Sequence, residues 1–500
     1  MILLILLVAS LPRLHGLGDQ SLWEDELFSA DITLNRTLLP RHGVPFFERI
    51  NLREVGSDES FWTIKAADQS PPFYELLSKV SVVFLGDGET SIRAVSAIAA
   101  LVFLAWLGWR ACKHRGTTLG MVYLSTLAMC AASGFMTFYA REARAYSLGA
   151  ALAGMMAVLF LERALRGWRQ APLPGWPETG LLVAAAMTHY NLTVLSALIL
   201  AAYSAEAWRR RDWPALLRMS LVPLALLAWL ALSYHSFLLA SQGYFGWVKL
   251  GYGEAFWVGL RGIGRDALGW PTTAVVIMAL ITAVLFTMHP RLRGQAESSD
   301  AAAVPREKWM NATLALFLLA ASYFMAVTLI MKESGIFHLR HYLFLLPIIH
   351  VLIAIAISRI WKNMHWLGWL FLIAGTLTQW PRLEYYQSIQ RSDYRAAASI
   401  AFDHLSDGDV VLTSFMLNPS GHEYYLKRKT PKKLIRQPYH GLGQLTQVCE
   451  AVRGRPRFAF IRIHTLSELS DGLKQACGGE YQIRRFESYR IDTEIWEQRQ

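Results

Sequence analysis

Long apolar runs constrain this chain more than any other feature. "SIRAVSAIAALVFLAWLGW" (91–109) and "MNATLALFLLAASYFMAVTLIM" (310–331) each reach the roughly 20 apolar residues that a helix needs to cross a bilayer core. Several other windows come close. With 53% hydrophobic and 17% charged residues in 500, the chain is too apolar for an ordinary soluble protein and too mixed for a bundle of spans alone. It reads as a mainly α polytopic membrane protein.

The net charge of +11 does not point to nucleic acid, because the basic residues gather in short loops between apolar runs. Such clusters report topology first. "RACKHRG" (Arg110–Gly116), "RALRGWR" (Arg163–Arg169), "RRRDW" (Arg209–Trp213), "HPRLRG" (His289–Gly294) and "RIWKN" (Arg359–Asn363) all read as cytoplasmic. An even number of spans must separate consecutive cytoplasmic loops. The apolar windows supply two each time: 117–136 and 145–163, 178–190 and 192–207, 215–236 and 271–288, 310–330 and 342–358. Adding 1–12, 91–109 and 365–380 gives about eleven transmembrane helices.

That count places the N-terminus in the cytoplasm, and the first loop (about 13–90) and the tail after Trp380 outside an inner (plasma) membrane. "MILLILLVASL" lacks a basic leader and a signal-peptidase site, so it reads as the first span. It is short, and either the helix continues toward Leu14–Leu17 or the true start lies upstream. "PPFYELLSKVSVVFLG", in the first loop, is expected to be an interfacial helix on its length. Residues 1–380 thus form a transmembrane domain, and 381–500 a small extracytoplasmic α/β domain. In the latter, "DGDVVLTSF", "RFAFIRIH" and "YQIRRFESYRI" read as strands, and "SDYRAAASIAFDHL" and "TLSELSDGLKQA" as helices. Two of the four cysteines, Cys449 and Cys477, fall there and could pair in an oxidising compartment. The sequons at Asn35, Asn191 and Asn311 are no more than chance supplies in a chain of this length.

The charged residues of the outer side are the candidates for chemistry. Glu24, Asp25 and Glu26 follow Trp23; Asp68 precedes Pro71 and Pro72; Tyr139, Arg141, Glu142, Arg144 and Tyr146 open the fourth span. His189 and Tyr190 end the fifth, and His338, Arg340, His341 and Tyr342 begin the tenth. All five groups fall on one membrane face in a topology drawn from loop charge alone. Blander roles compete: a solvated acidic loop, Asp68 as a helix cap, the arginines as snorkelling anchors, the tyrosines as belt residues, and His189 as a histidine at a span end. The aromatic, Gly-rich stretch Ser241–Gly262 could cover a lipid-entry groove or anchor at the interface.

Taken in order, "SLWEDELFS", "DQSPPFYELLSKVSVVFLGDGETSIRAVSA", "FYAREARAYSL" and "MTHY", with a weaker echo at "RHYLFLLP", resemble the bacterial glycosyltransferase family 39 proteins. These are relatives of the protein O-mannosyltransferases and the lipid A aminoarabinose transferase, in the GT-C fold class. The resemblance covers roughly the first 200 residues. The family usually has His-Pro-Pro where this chain has Ser70-Pro71-Pro72. It usually has Arg-Tyr where His341 precedes Tyr342 and Arg340 stands one place earlier. The resemblance implies a GT-C-like enzyme that moves a sugar from a polyprenyl-phosphate carrier to a lipid, glycan or protein acceptor outside the membrane.

Such a reaction needs a carboxylate to activate the acceptor hydroxyl and fixed cations for the departing phosphate. By resemblance to the family's Asp-Glu pair the base falls to Asp25, with Glu26 orienting it or the acceptor and Asp68 contacting substrate or a cation. Arg141 and Arg144, three apart and expected on one helical face, would hold the phosphate with Tyr146. Tyr139, His189, Tyr190, Arg340 and His341 complete the expected substrate-binding set. In-line attack without a protein nucleophile inverts the anomeric centre. No cofactor is required, and room for a divalent cation beside Asp25 and Asp68 is left open. Two other readings remain: a transporter or flippase of a lipid-linked or anionic solute, and a non-catalytic scaffold in envelope assembly. The first calls for ionisable residues near mid-span and helices broken in matched halves, which the sequence lacks.

Overall fold

The structure is a computed structural model that describes residues 1–34, 38–39, 53–54, 60–68, 70–241, 250–288, 304–334, 338–413, 424–425, 434–439, 442–463, 467–477 and 481–499. Asn35, the "HPRLRG" loop and residues 242–249 of the Ser241–Gly262 stretch lie outside the described residues. The chain divides into two compact units. One comprises Met1–His15, Lys65–Val80 and Arg93–Ser388; the other comprises Gly16–Ile64, Ser81–Ile92 and Ile389–Gln500.

The first unit is helical. Five helices are long and apolar enough to cross a membrane, Glu89–Lys113, Tyr146–Arg166, Trp213–Tyr234, Arg306–Ser334 and Leu339–Asn363, and up to seven spans result if each of two bent pairs counts once. The bent pairs are Thr118–Ala132 with Gly134–Ala140, at 66°, and Tyr252–Leu268 with Trp270–Phe286, at 103°. The remaining expected spans are helices in the expected places, Ile2–Leu14, Trp176–Ala186, Tyr190–Arg210 and His365–Leu377. The apolar run 178–207 is indeed two helices, broken at Met187–His189. The expected interfacial segment is the helix Phe73–Leu85, with Val83, Phe84 and Leu85 exposed.

Tyr146–Arg166 is the most enclosed of these helices, and its small residues explain why. A Cβ added to Gly149 would stand 2.4 Å from the Phe344 ring, and one on Gly154 would stand 2.2 Å from Phe103. Neighbouring side chains therefore pack onto its backbone, the contact that small residues permit between membrane helices. The bend at Ser133 is held from outside. Buried Arg13, at the end of Ile2–Leu14, donates to the carbonyls of Cys130 at 3.0 Å and Ala131 at 3.1 Å, which the ending helix leaves without amide partners. Gly134 is required there, because a Cβ would fall 2.5 Å from the backbone nitrogen of Leu383.

The second unit contains a short antiparallel pair, β1 (Leu38–Leu39) with β2 (Arg53–Glu54), and a five-stranded sheet. The sheet strands are β3 (Val410–Thr413), β4 (Ile435–Pro438), β5 (Arg457–Ile463), β6 (Tyr481–Ser488) and β7 (Ile491–Gln498), in the order β4-β3-β5-β7-β6. β3 runs parallel to β4 and β5, while β7 is antiparallel to both β5 and β6. One face buries Val410, Leu412, Phe458, Phe460 and Trp496. β7 lies between β5 and β6 and is buried along most of its length, so its charges are paired. Arg462 meets Asp492 at 2.9 Å and Glu494 at 3.3 Å, and Ser470 donates to Glu494 at 2.7 Å. The helix Ser467–Cys477 is tied to Leu445–Val452 by a disulfide between Cys477 and Cys449, the pairing the sequence had left open.

This unit is not a contiguous tail. Its last segment begins at Ile389, and it also takes in Gly16–Ile64 and Ser81–Ile92. The cysteines provide a test, since Cys112 is exposed and Cys130 buried, both as free thiols. A maleimide should label one cysteine in the folded protein, two after denaturation without reductant, and four after reduction, counted by intact mass.

Candidate functional site

The acidic triplet opens the helix Glu24–Leu34, where negative charge suits the amide-rich end of the helix. The three side chains divide their work. Glu26 is fully buried and pairs with Arg391 at 2.7 Å, while one of its oxygens accepts from the Trp23 N–H at 3.3 Å. Glu24 accepts from the Tyr394 hydroxyl at 2.7 Å and from Ser392 at 3.3 Å. Burial first, and the Glu24 charge second, hold the Tyr394 phenol well above its ordinary pKa, so it remains a donor. Asp25, between these anchors, is partly exposed.

Further bonds join the same two segments. Arg395 donates to the Gly18 carbonyl at 2.7 Å and pairs with Glu89 at 3.0 Å, and Gln20 donates to the Ile389 carbonyl at 3.2 Å. Residues 389–395 are thus a strap on the acidic helix, and Arg391, Tyr394 and Arg395 are partners of that region which the sequence reading missed. Their only signal was a charged, aromatic cluster just after the last apolar run.

In the other unit, Asp68 sits in a buried network. Lys65, fully buried on the helix Phe61–Ala67, pairs with Asp68 at 2.6 Å and Glu75 at 3.0 Å and donates to Ser70 at 2.6 Å. Ser70 also bonds Asp68. Burial pulls the Lys65 ammonium down, but the two carboxylates outweigh it and its pKa stands above the usual lysine value. Ser70, where the family usually has histidine, is therefore held by a lysine from the preceding turn. Lys65 was not singled out from the sequence, although it lies three residues before Asp68.

Residues from three of the five expected groups meet around the Tyr146 ring. Tyr139 lies edge-on at 5.3 Å, His189 at 5.7 Å, His341 at 6.4 Å, and the Arg340 guanidinium at 5.5 Å from the ring centre. His189 and His341 are 5.8 Å apart, and Phe344 packs edge-on against His189 at 5.1 Å. The segment Leu339–Leu345 is a 3-10 helix, and its three-residue period sets His338, His341 and Phe344 along one edge. Arg340 falls beside that edge, over Tyr146. Tyr342 turns away and shares a hydrogen bond with Thr328 at 2.7 Å. Tyr190 starts the helix Tyr190–Arg210, one residue past His189.

Arg141 and Arg144 correct an expectation. They do not share a helical face, because the chain from Arg141 to Ala145 is a turn between the helices Gly134–Ala140 and Tyr146–Arg166. The helix stops where the Arg141 and Glu142 amides bond back to Phe138 and Tyr139, and Glu142 and Ala143 turn inward. The turn is pinned by Ser96, which donates to the Arg144 carbonyl at 3.0 Å. Among the described residues, no three His, Cys, Asp or Glu side chains are grouped to hold a metal ion.

The strap yields a prediction. Arg391→Met leaves Glu26 buried without its cation and should cost about 3–5 kcal/mol. The double variant Glu26→Met with Arg391→Met should regain most of that loss, since a buried ion pair replaced by apolar groups is close to neutral. Thermal unfolding in detergent reads both, and a double variant no better than the single one contradicts the pairing.

No family model matches the chain, and no curated protein matches it. Solved structures do. ArnT from Cupriavidus metallidurans in the apo state aligns with a TM-score of 0.56 at 15% identity, over 99% of this chain and 97% of that one. The same protein bound to undecaprenyl phosphate aligns with a TM-score of 0.51 at 13% identity, again over 99% and 97%. Arabinofuranosyltransferase AftD from Mycobacteria aligns at 0.50 and 13%, over 99% of this chain and 39% of that one. Likeness at such low identity speaks to architecture, and it does not reach the narrower protein O-mannosyltransferase-like family. The chain shares the overall fold of these structures.

Proposed function

We propose that the protein is a multi-pass, inverting glycosyltransferase that moves a sugar from a polyprenyl-phosphate carrier to an acceptor on the extracytoplasmic side. The observation that carries this reading is the cluster around Tyr146, where a guanidinium, two imidazoles and two phenols from four separate chain segments meet. Arginine binds two phosphate oxygens at once, and a low dielectric strengthens the attraction to a leaving group that gains charge. In this reading Arg141 and Arg144 hold the lipid phosphate with Tyr146, helped by Arg340, His189, His341, Tyr139 and Tyr190. The likeness to an ArnT that was solved with undecaprenyl phosphate supports a carrier of that class.

Asp25 is the base of the reading. Asp25 is partly exposed at the first turn of the helix Glu24–Leu34, where a carboxylate can reach an acceptor hydroxyl, and its resemblance to the family's Asp-Glu pair supports that role. Glu26 orients Asp25 through the helix they share, and Asp68, tied to Lys65 and Ser70, contacts substrate through its exposed side. The Cys449–Cys477 disulfide supports an oxidising compartment for the C-terminal segment, and with it an extracytoplasmic C-terminus and a cytoplasmic N-terminus.

Purified Asp25→Asn should lose transfer by about 100-fold or more, with an unchanged unfolding temperature. The assay uses polyprenyl-phosphate sugars extracted from the native membrane. A folded Asp25→Asn protein at full rate removes Asp25 from the role of base.

A further inference from the structure

Asn191 makes two hydrogen bonds to the cluster around Tyr146, and both go to imidazoles. Its backbone N–H donates to His189 Nδ1 at 3.1 Å, and its side-chain amide nitrogen meets His341 Nδ1 at 3.0 Å. An amide nitrogen only donates, so each Nδ1 must be the acceptor, and the proton of each neutral ring must then sit on Nε2. One buried residue at the start of Tyr190–Arg210 therefore sets the tautomer of two histidines, the second of them 150 residues away from it. The charged and titratable groups acting on them are Arg144 and Arg340 on both rings, with His189 and His338 also on His341 and the Tyr146 ring beside each.

We propose that Asn191 is a positioning residue that holds His189 and His341 as Nε2–H donors for an anionic oxygen, the phosphate of the lipid carrier. The assignment rests on the reading of the protein as a polyprenyl-phosphate enzyme. Two neutral donors add hydrogen bonds to those of the guanidinium groups without adding like charge that would repel them. One residue that reaches the first ring through its backbone N–H and the second through its side chain also fixes their spacing.

The discriminating variant is Asn191→Asp, which keeps the shape and can only accept. His341 then places its proton on Nδ1 and turns a lone pair outward, unless it takes up a second proton. Binding of undecaprenyl phosphate to the full-length protein in nanodiscs is measured from pH 8 to pH 6. Asn191→Asp should bind ten-fold or more weakly at pH 8 and recover toward pH 6, because the introduced carboxylate, paired with His341, lets that ring take up a proton and regain an Nε2–H. Asn191→Leu should be weakened without recovery. A purely structural asparagine predicts no such pH-dependent return, and Asn191→Asp binding like the parent at every pH overturns the proposal. If the parent itself binds no undecaprenyl phosphate, the functional reading fails instead. Nitrogen NMR of labelled histidine then tests the tautomers alone: Nε2–H on His189 and His341 upholds the geometry, and Nδ1–H on either overturns it.

Discussion

A charge withdrawn from water must be met by a partner, and in a chain this apolar that requirement organises much of the structure. Arg13 spends its donors on carbonyls at a helix break. Lys65 gathers Asp68, Glu75 and Ser70 into one network. Glu26 is held by Arg391, and the buried acids of β7 by Arg462. Each pairing joins segments that hydrophobic packing alone would leave free to slide, because apolar contacts carry little directional information. The acidic helix shows the consequence for function. Two of its three carboxylates fasten it to residues 389–395, and the third, Asp25, stays partly exposed between them.

What was legible in advance follows from the same physics. Apolar runs punctuated by basic loops marked the helices of the first unit closely, including the break near His189, because bilayer thickness and loop charge act over short sequence distances. The ordered outer-face motifs were also legible, and the structure brings Tyr139, Tyr146, His189, Arg340 and His341 together. The turn at Arg141–Ala145 was not. A helical pattern continues through "AREARAY", and only the tertiary bond from Ser96 and the inward Glu142 reveal the break.

Long-range partners were the larger gap. Arg391 lies 365 positions from Glu26, and no local pattern links them. β7 was missed because "IDTEIWEQ" reads as a polar segment, when its acids are buried against arginines of neighbouring strands. The disulfide was left open for lack of a distance between the cysteines. Fold and chemistry also separate here. At 13–15% identity the structural likeness speaks to the fold alone, whereas the reaction must be argued from side chains whose arrangement belongs to this chain.

The most direct measurement is mass spectrometry of polyprenyl-phosphate lipids and envelope glycans from cells with and without the gene. If the protein consumes a lipid-linked sugar, its loss should leave one charged carrier accumulated and one glycan missing that sugar. Unchanged carrier and glycan profiles, with the protein expressed in the parent, would contradict the account.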